Sequence, residues 1–191
     1  MKQLLSAEHK TVILVNGIPA SGKSTVTQAL SQQFGLPSLT LDGIKEPFMA
    51  QFPAIDRQLN RQLGCAAYAA IWSVIAAAPA NCIWLVDAWF GFQPREQLQV
   101  FLQQARVREV LEVWNQVSPE LAVSRYARRL EQRKPGHPGE EYLPELAVLA
   151  QSARPMSIGP VYTFEQGEDG GDSGALFNWV THHIASEALV G

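Results

Sequence analysis

Several things are scarce in this sequence, and each scarcity excludes something. Only two cysteines occur in 191 residues, Cys65 and Cys82, each in apolar surroundings. That argues against a disulfide framework or a thiolate metal site and predicts two buried thiols. No run of like charges is present, and the net charge is only −3. A nucleic-acid surface held by a broad basic face is therefore not expected, although a local cleft could still be basic. No apolar run approaches the roughly 20 residues of a membrane span. The opening MKQLLSAEHK carries charges where a signal peptide needs its apolar stretch. The expected location is the cytoplasm, with no membrane partner. There is no internal repeat. The length suits one α/β domain, so residues 1–191 read as a single unit. Nothing in the sequence sets an oligomeric state.

What is present is concentrated in VNGIPASGKST, residues 15–25. Gly17, four residues, Gly22, Lys23 and Ser24 match G-x-x-x-x-G-K-[ST], the phosphate-binding P-loop pattern. The glycines allow backbone angles at which successive N–H groups turn inward onto anionic oxygens. The next helix adds the positive end of its dipole. Lys23 would bring a mobile charge to the β- and γ-phosphates, and the Ser24 hydroxyl could ligate Mg²⁺. The nucleotide-binding stretch is thus Gly17, Ile18, Pro19, Ala20, Ser21, Gly22, Lys23, Ser24 and Thr25. TVILV before it reads as a buried strand. STVTQALSQQFG after it reads as a helix, with Val26, Leu30 and Phe34 at helical spacing and Gly35 as a stop.

Strands and helices then alternate. LPSLTLD predicts a second strand ending at Asp42. GIKEPFMAQFP predicts a short helix or turn broken by Pro47 and Pro53. A long helix follows over about 54–78, and NCIWLVDAWF is a third strand ending near Asp87. PREQLQVFLQQA is a helix and REVLEVWNQV a fourth strand. SPELAVSRYARRLEQR is a helix capped by Ser118, with Pro119 in its first turn. KPGHPGEE is a loop, YLPELAVLAQSA a helix and PVYTFE a fifth strand. GEDGGDSG is a flexible acidic loop, and ALFNWVTHHIASEAL closes the chain. This pattern predicts a five-stranded parallel sheet in a three-layer α/β sandwich with helices on both faces. Ligands should then sit beyond the carboxyl ends of the strands, at Gly17, Asp42, Asp87 and Asn115.

The branch of P-loop chemistry follows from what accompanies the loop. A small GTPase needs N-K-x-D on a late strand, where this chain has NQVS. The size, the N-terminal P-loop and an Arg-rich late helix point to a small kinase. GIPASGKST resembles the loop of small P-loop kinases of metabolites and nucleotides. SLTLDGIKEPF resembles the chloramphenicol phosphotransferase-like group, and SRYARRLEQRKPGHPG resembles the lid of these kinases. Shikimate and gluconate kinases and zeta toxins share the plan. The second Asp of the shikimate kinases is missing from Leu41-Asp42-Gly43-Ile44. The resemblance implies ATP and Mg²⁺ as cofactors and a lid over about 118–142. It also implies that Asp42 acts as base toward an acceptor hydroxyl.

The residues bear on those roles directly. Asp42 reads as base or acceptor anchor, or as the cap of the turn after it. Asp87 ends CIWLVD, the shape in which a carboxylate helps hold Mg²⁺ with Ser24, and it could equally touch the acceptor. The two acids could exchange roles. Arg125, Arg128 and Arg129 would share one helix face, with Arg133 one turn on. Arg125, Arg129 and Arg133 are the candidates to neutralise the phosphoryl group. Gly136 and Gly139 could hinge the lid. Arg57 and Arg61 could grip an anionic acceptor or form an exposed face. Trp89, and Phe90 beside it, could pack on the acceptor or the core. Adjacent His182 and His183 diverge by about 100° on a helix, which is poor for a metal pair.

The expected function is transfer of the ATP γ-phosphate to a hydroxyl of a small molecule. The rivals are a nucleotide kinase using Arg57, Arg61 and Arg95, a nucleic-acid end kinase, and a nucleotide-dependent regulator without an acceptor.

Overall fold

In the computed structural model, which describes residues 5, 7–167 and 171–187, the chain alternates strands and helices. The order is β1 (Thr11–Asn16), α1 (Lys23–Phe34), β2 (Ser38–Thr40), α2 (Leu41–Met49), α3 (Arg57–Ala77) and β3 (Ile83–Ala88). Then come α4 (Arg95–Gln104), β4 (Glu109–Gln116), α5 (Pro119–Ala127), α6 (Leu143–Ser152), β5 (Val161–Glu165) and α7 (Ser173–Glu187). The five strands form one sheet in the order β2-β3-β1-β4-β5, and every pairing is parallel. The expected α/β architecture is the one observed.

Central β1 is buried along its whole length, as a near-continuous apolar run in a covered parallel sheet requires. Its alternate residues feed two cores. Ile13 and Val15 pack with Val26, Leu30 and Phe34 of α1 and Leu176, Val180 and Ile184 of α7. Val12 and Leu14 pack on the other face with Tyr68, Ile71, Trp72 and Ile75 of α3 and Leu98 and Leu102 of α4. A third cluster joins Ile18 and Trp114 to Tyr126 of α5 and Leu146 of α6. Among the described residues no helix is long and apolar enough to cross a membrane.

Several local readings change. The second strand stops at Thr40, because the Thr40 hydroxyl accepts from the Gly43 N–H at 3.0 Å and starts α2. Asp42 therefore lies in the first turn of a helix, and its cap is Thr40. Pro47 sits inside α2 and does not break it. The helix holds because Lys45 and Met49 bury one side of it, four residues apart. The long helix starts at Arg57, where the Asp56 carboxylate accepts from Leu59 N–H at 2.7 Å.

The Arg-rich helix is shorter than its sequence suggests. It ends at Ala127, Arg128 is its C-cap, and a 3₁₀ turn spans Leu130–Gln132. Arg128 and Arg129 stay close enough to Arg125 for their charges to act on it, whereas Arg133 leaves that face. The chain turns back so that the Arg133 guanidinium lies 4.3 Å above the ring of buried Tyr126. The two thiols are free and half-buried, where the sequence suggested burial. Cys65 accepts from Gln93, and Cys82 accepts from the Trp84 indole. Residues 168–170 of the acidic loop lie outside the described residues, as do residues 1–4 and 6 of the opening segment.

Candidate active site

The turn after β1 is built for an anion. Gly17 has φ 156°, and a Cβ there would stand 2.4 Å from Ser21 Oγ and 3.1 Å from the Asn115 backbone oxygen. Gly22, at φ 87°, is the N-cap of α1 and offers no side-chain bond to the first helical N–H groups. By contrast α2, α3 and α5 are capped by Thr40, Asp56 and Ser118. The positive end of α1 is thus left for an outside partner. Ser21 Oγ, buried in the same loop, has no hydrogen-bond partner. Lys23 Nζ folds over the loop and donates to Ile18 O at 2.9 Å. Burial pushes the Lys23 ammonium down from its ordinary pKa, and Asp87 and Asp42 pull the other way.

A network of amides fixes this loop, and no sequence pattern announced it. Asn16 Oδ1 accepts from Gly17 N–H at 2.8 Å and from Phe90 N–H at 3.1 Å. Asn16 Nδ2 donates at 2.7 Å to Glu112, a fully buried carboxylate that also accepts from Met156 and Ser157 N–H. Asn115 Nδ2 donates to Asn16 O at 3.0 Å, and Gln166 Nε2 donates to Asn115 Oδ1 at 3.0 Å. The parallel register puts Asn16, Asp87 and Asn115 at neighbouring strand ends, which sequence alone does not supply.

Asp87 is 4% exposed and accepts from Ser24 Oγ at 3.0 Å. Burial raises the carboxyl above its ordinary pKa, while Lys23 and the Ser24 hydroxyl offset part of the rise. A hydroxyl and a carboxylate are hard oxygen donors of the kind that hold Mg²⁺ when phosphate and water complete its shell. Among the described residues no three His, Cys, Asp or Glu gather as a metal site. The donor set thus fits a metal that arrives with a nucleotide.

Strand register pairs Thr40 with Asp87, so Asp42 starts its helix close to Asp87. Its side chain keeps 63% of its surface exposed and pairs with Lys45 Nζ at 3.3 Å. Desolvation by the protein around it pushes the Asp42 carboxyl up. Lys45, His137 and Lys23 together more than offset that, and its pKa lies below the ordinary carboxylate value.

The arginines divide. Arg125 donates to Gln166 Oε1 at 3.2 Å and to Gly167 O at 2.7 Å. That Gln166 oxygen lies 2.5 Å from where a Cβ on Gly22 would be, so Arg125 stands beside the P-loop. Arg129 is exposed just beyond the end of α5. Arg133 turns toward α2 and donates to His137 Nδ1 at 3.2 Å. His137 Nε2 meets Glu46 Oε1 at 3.1 Å. Arginine can only donate and a carboxylate only accept, so the neutral Nε2–H tautomer satisfies both bonds. Burial, then Lys45, hold the His137 pKa below its ordinary value.

The loop carrying His137 is seated on α2 and α3. Asn60 Nδ2 donates to Gly136 O, Tyr126 Oη donates to Pro138 O at 2.8 Å, and Lys134 pairs with Glu46 at 2.6 Å. Gly136 has φ 92°, and a Cβ there would stand 2.9 Å from both Ile55 and Met49.

Arg57 is exposed and pairs with Glu145 of α6 at 2.7 Å, and Arg61 is exposed on α3. Arg95 donates to Ser157 O. Trp89 packs on Trp114 with ring centroids 6.1 Å apart, and Phe90 is fully buried against Tyr68. His183 Nδ1 donates to Trp179 O on its own helix at 2.9 Å. Lys45, Glu46, Asn60 and Gln166 were not singled out in the sequence. The Asp42–Lys45 spacing would have marked the pair only if α2 were known to begin at Leu41.

A family model described as an AAA domain matches residues 12–154. No curated protein matches significantly. Among solved structures, a candidate kinase from Chloroflexus aurantiacus superposes with TM-score 0.77 at 23% identity, covering 92% of this chain and 99% of that one. Shikimate kinase from Bacteroides thetaiotaomicron superposes with TM-score 0.58 at 17% identity, covering 89% of this chain and 97% of that one. A gluconokinase from Sinorhizobium meliloti gives TM-score 0.57 at 15% identity, covering 94% and 93%. The fold is that of the small P-loop kinases.

Proposed function

The chain belongs to this AAA-domain family, and from that premise we propose an ATP-dependent phosphotransferase that moves the γ-phosphoryl group to a hydroxyl of a small molecule. The observation that carries the reading is the placement of Asp42 and Asp87 side by side, facing Lys23 and the uncapped head of α1. The kinase names of the superposable structures support it.

The P-loop N–H groups hold the nucleotide phosphates. Ser24 and Asp87 would hold Mg²⁺, which when bound would supply charge neutralisation to the nucleotide phosphates. Lys23 shifts from Ile18 O onto the γ-phosphate. Asp42 orients the acceptor hydroxyl and takes its proton as the new O–P bond forms and the P–O bond to ADP breaks. Arg125 adds charge from the lid side of the P-loop, with Arg129 and Arg133 available from the segment 118–142. Arg133 reaches that role only by leaving His137.

A nucleotide kinase would need arginines around an acceptor phosphate. Of the three arginines named for that role, Arg57 is engaged with Glu145 and Arg95 with Ser157 O, leaving exposed Arg61, which favours a hydroxyl over a phosphate as acceptor.

The test is ADP release from ATP·Mg²⁺ with pooled acceptors: hydroxy acids, sugars, nucleosides, nucleoside monophosphates and hydroxyl-bearing antibiotics. Stimulation by a hydroxyl pool, lost in Lys23→Ala, is expected. Stimulation by monophosphates alone selects the nucleotide kinase. ATP binding with no stimulation rejects the reading.

A further inference from the structure

One buried charge has no task in the scheme above. Lys45 is 8% exposed, yet among the described residues its Nζ meets just Asp42 Oδ1 at 3.3 Å and Asn60 Oδ1 at 3.4 Å. Charge-assisted bonds are normally about 2.8 Å. A second buried lysine, Lys10, shows the contrast. Its Nζ grips Ile75 O at 2.7 Å and Ala76 O at 3.1 Å, closing the carboxyl end of α3. A buried ammonium held this loosely is poorly compensated for its lost water.

The surroundings explain why the protein does not compensate it. Glu46, the other acid on α2, is occupied by Lys134 and His137. Asp42 is thus the one carboxylate paired with Lys45 among the described residues, and it also faces Lys23. The loop at Gly136 and His137 roofs this corner through Asn60 and Glu46. A buried cation thus lies beside an exposed carboxylate that also faces the lysine of the phosphate loop.

We propose that Lys45 is the counter-ion for an anionic group on the acceptor, so that the substrate is a small hydroxy compound bearing a carboxylate or a phosphate. This rests on the phosphotransferase reading. The anion takes Lys45, and Asp42, released from that pair, turns to the hydroxyl. The 3.3 Å between the two side chains sets the acceptor's anion and hydroxyl close together in the molecule.

The experiment fills the P-loop with the non-hydrolysable analogue AMP-PNP and Mg²⁺, then measures binding of glycerate, glycerol 3-phosphate and neutral glycerol by calorimetry. Wild type, Lys45→Met and Lys45→Arg are compared, and melting with AMP-PNP confirms that each variant is folded. Wild type is expected to bind an anion at least about tenfold more tightly than glycerol. Lys45→Met should weaken anion binding about 10- to 100-fold without changing glycerol, and Lys45→Arg should keep most of it. Preference for glycerate over glycerol 3-phosphate, or the reverse, identifies the anion. Equal anion binding in wild type and Lys45→Met, or no anion preference in wild type, overturns the proposal. Because AMP-PNP is not turned over, this is decided apart from catalysis. Lys45-dependent anion binding with no stimulated ADP release from any pool would keep the anion site and reject the kinase.

Discussion

The Ser24 hydroxyl donates to Asp87 Oδ2 across 3.0 Å, tying the head of α1 to the end of β3. The bond sets the two oxygens proposed for Mg²⁺ side by side and places a carboxylate where burial disfavours its charge. Function and stability pull in opposite directions at this point.

Asp87→Asn separates them. The folded-state pKa of Asp87 is raised, so the folded protein holds the Asp87 proton more tightly than the unfolded chain does. The ionised group therefore withdraws stability as pH rises above the ordinary carboxylate range. Asparagine still accepts from Ser24 and removes the buried charge. Its melting temperature at pH 7 without nucleotide should match or exceed wild type. Turnover should fall about 10²-fold or more, with a higher Mg²⁺ requirement. Lower melting with normal Mg²⁺ dependence would make Asp87 a structural residue.

Asp42→Asn should keep ATP binding and cut acceptor-stimulated turnover about 10²-fold. Lys45, His137 and Lys23 hold the Asp42 carboxyl below its ordinary pKa, so it stays ionised throughout pH 5–8. Wild-type turnover should show no acid limb from Asp42 in that range. Removing Lys45 takes away a stabilising charge and moves any such limb to higher pH. Unchanged turnover in Asp42→Asn would return this residue to a purely local role in the first turn of α2.

Gly136→Ala tests the docked loop. A left-handed φ of 92° costs a residue with Cβ about 1–2 kcal/mol, and the added methyl meets Ile55 and Met49. The loop should lift from α2, with faster proteolysis around residues 134–139 and a raised acceptor KM. ATP affinity should be unchanged. A normal acceptor KM would detach this loop from the acceptor.

His137 predicts a pH dependence of stability. Its folded pKa is lowered, chiefly by burial, so the unfolded chain takes up the proton first as pH falls. Stability from this residue is complete above the unfolded value near 6.5, falls as pH drops through it, and levels off below the folded value. Wild type should lose more melting temperature than His137→Asn between pH 7.5 and 5.5. Parallel curves would show that Glu46 and Arg133 do not depend on the neutral imidazole.

Sequence by itself determined the parts whose information is local. The P-loop, the buried β1 run and the helix of Val26, Leu30 and Phe34 follow from backbone freedom and periodicity within a few residues. The alternation of strands and helices fixed the parallel sheet for the same reason. Only the tertiary structure decided which charges meet. Asp42 became a helix residue because Thr40 capped α2, which brought Lys45 onto it. Arg133 left the Arg125 face because Tyr126 offered its ring, and Arg57 went to Glu145, far along the chain. The amides of Asn16, Asn115 and Gln166 joined because parallel register aligned their strand ends. Such contacts join residues distant in sequence, and local pattern carries no record of where a long side chain finds its partner.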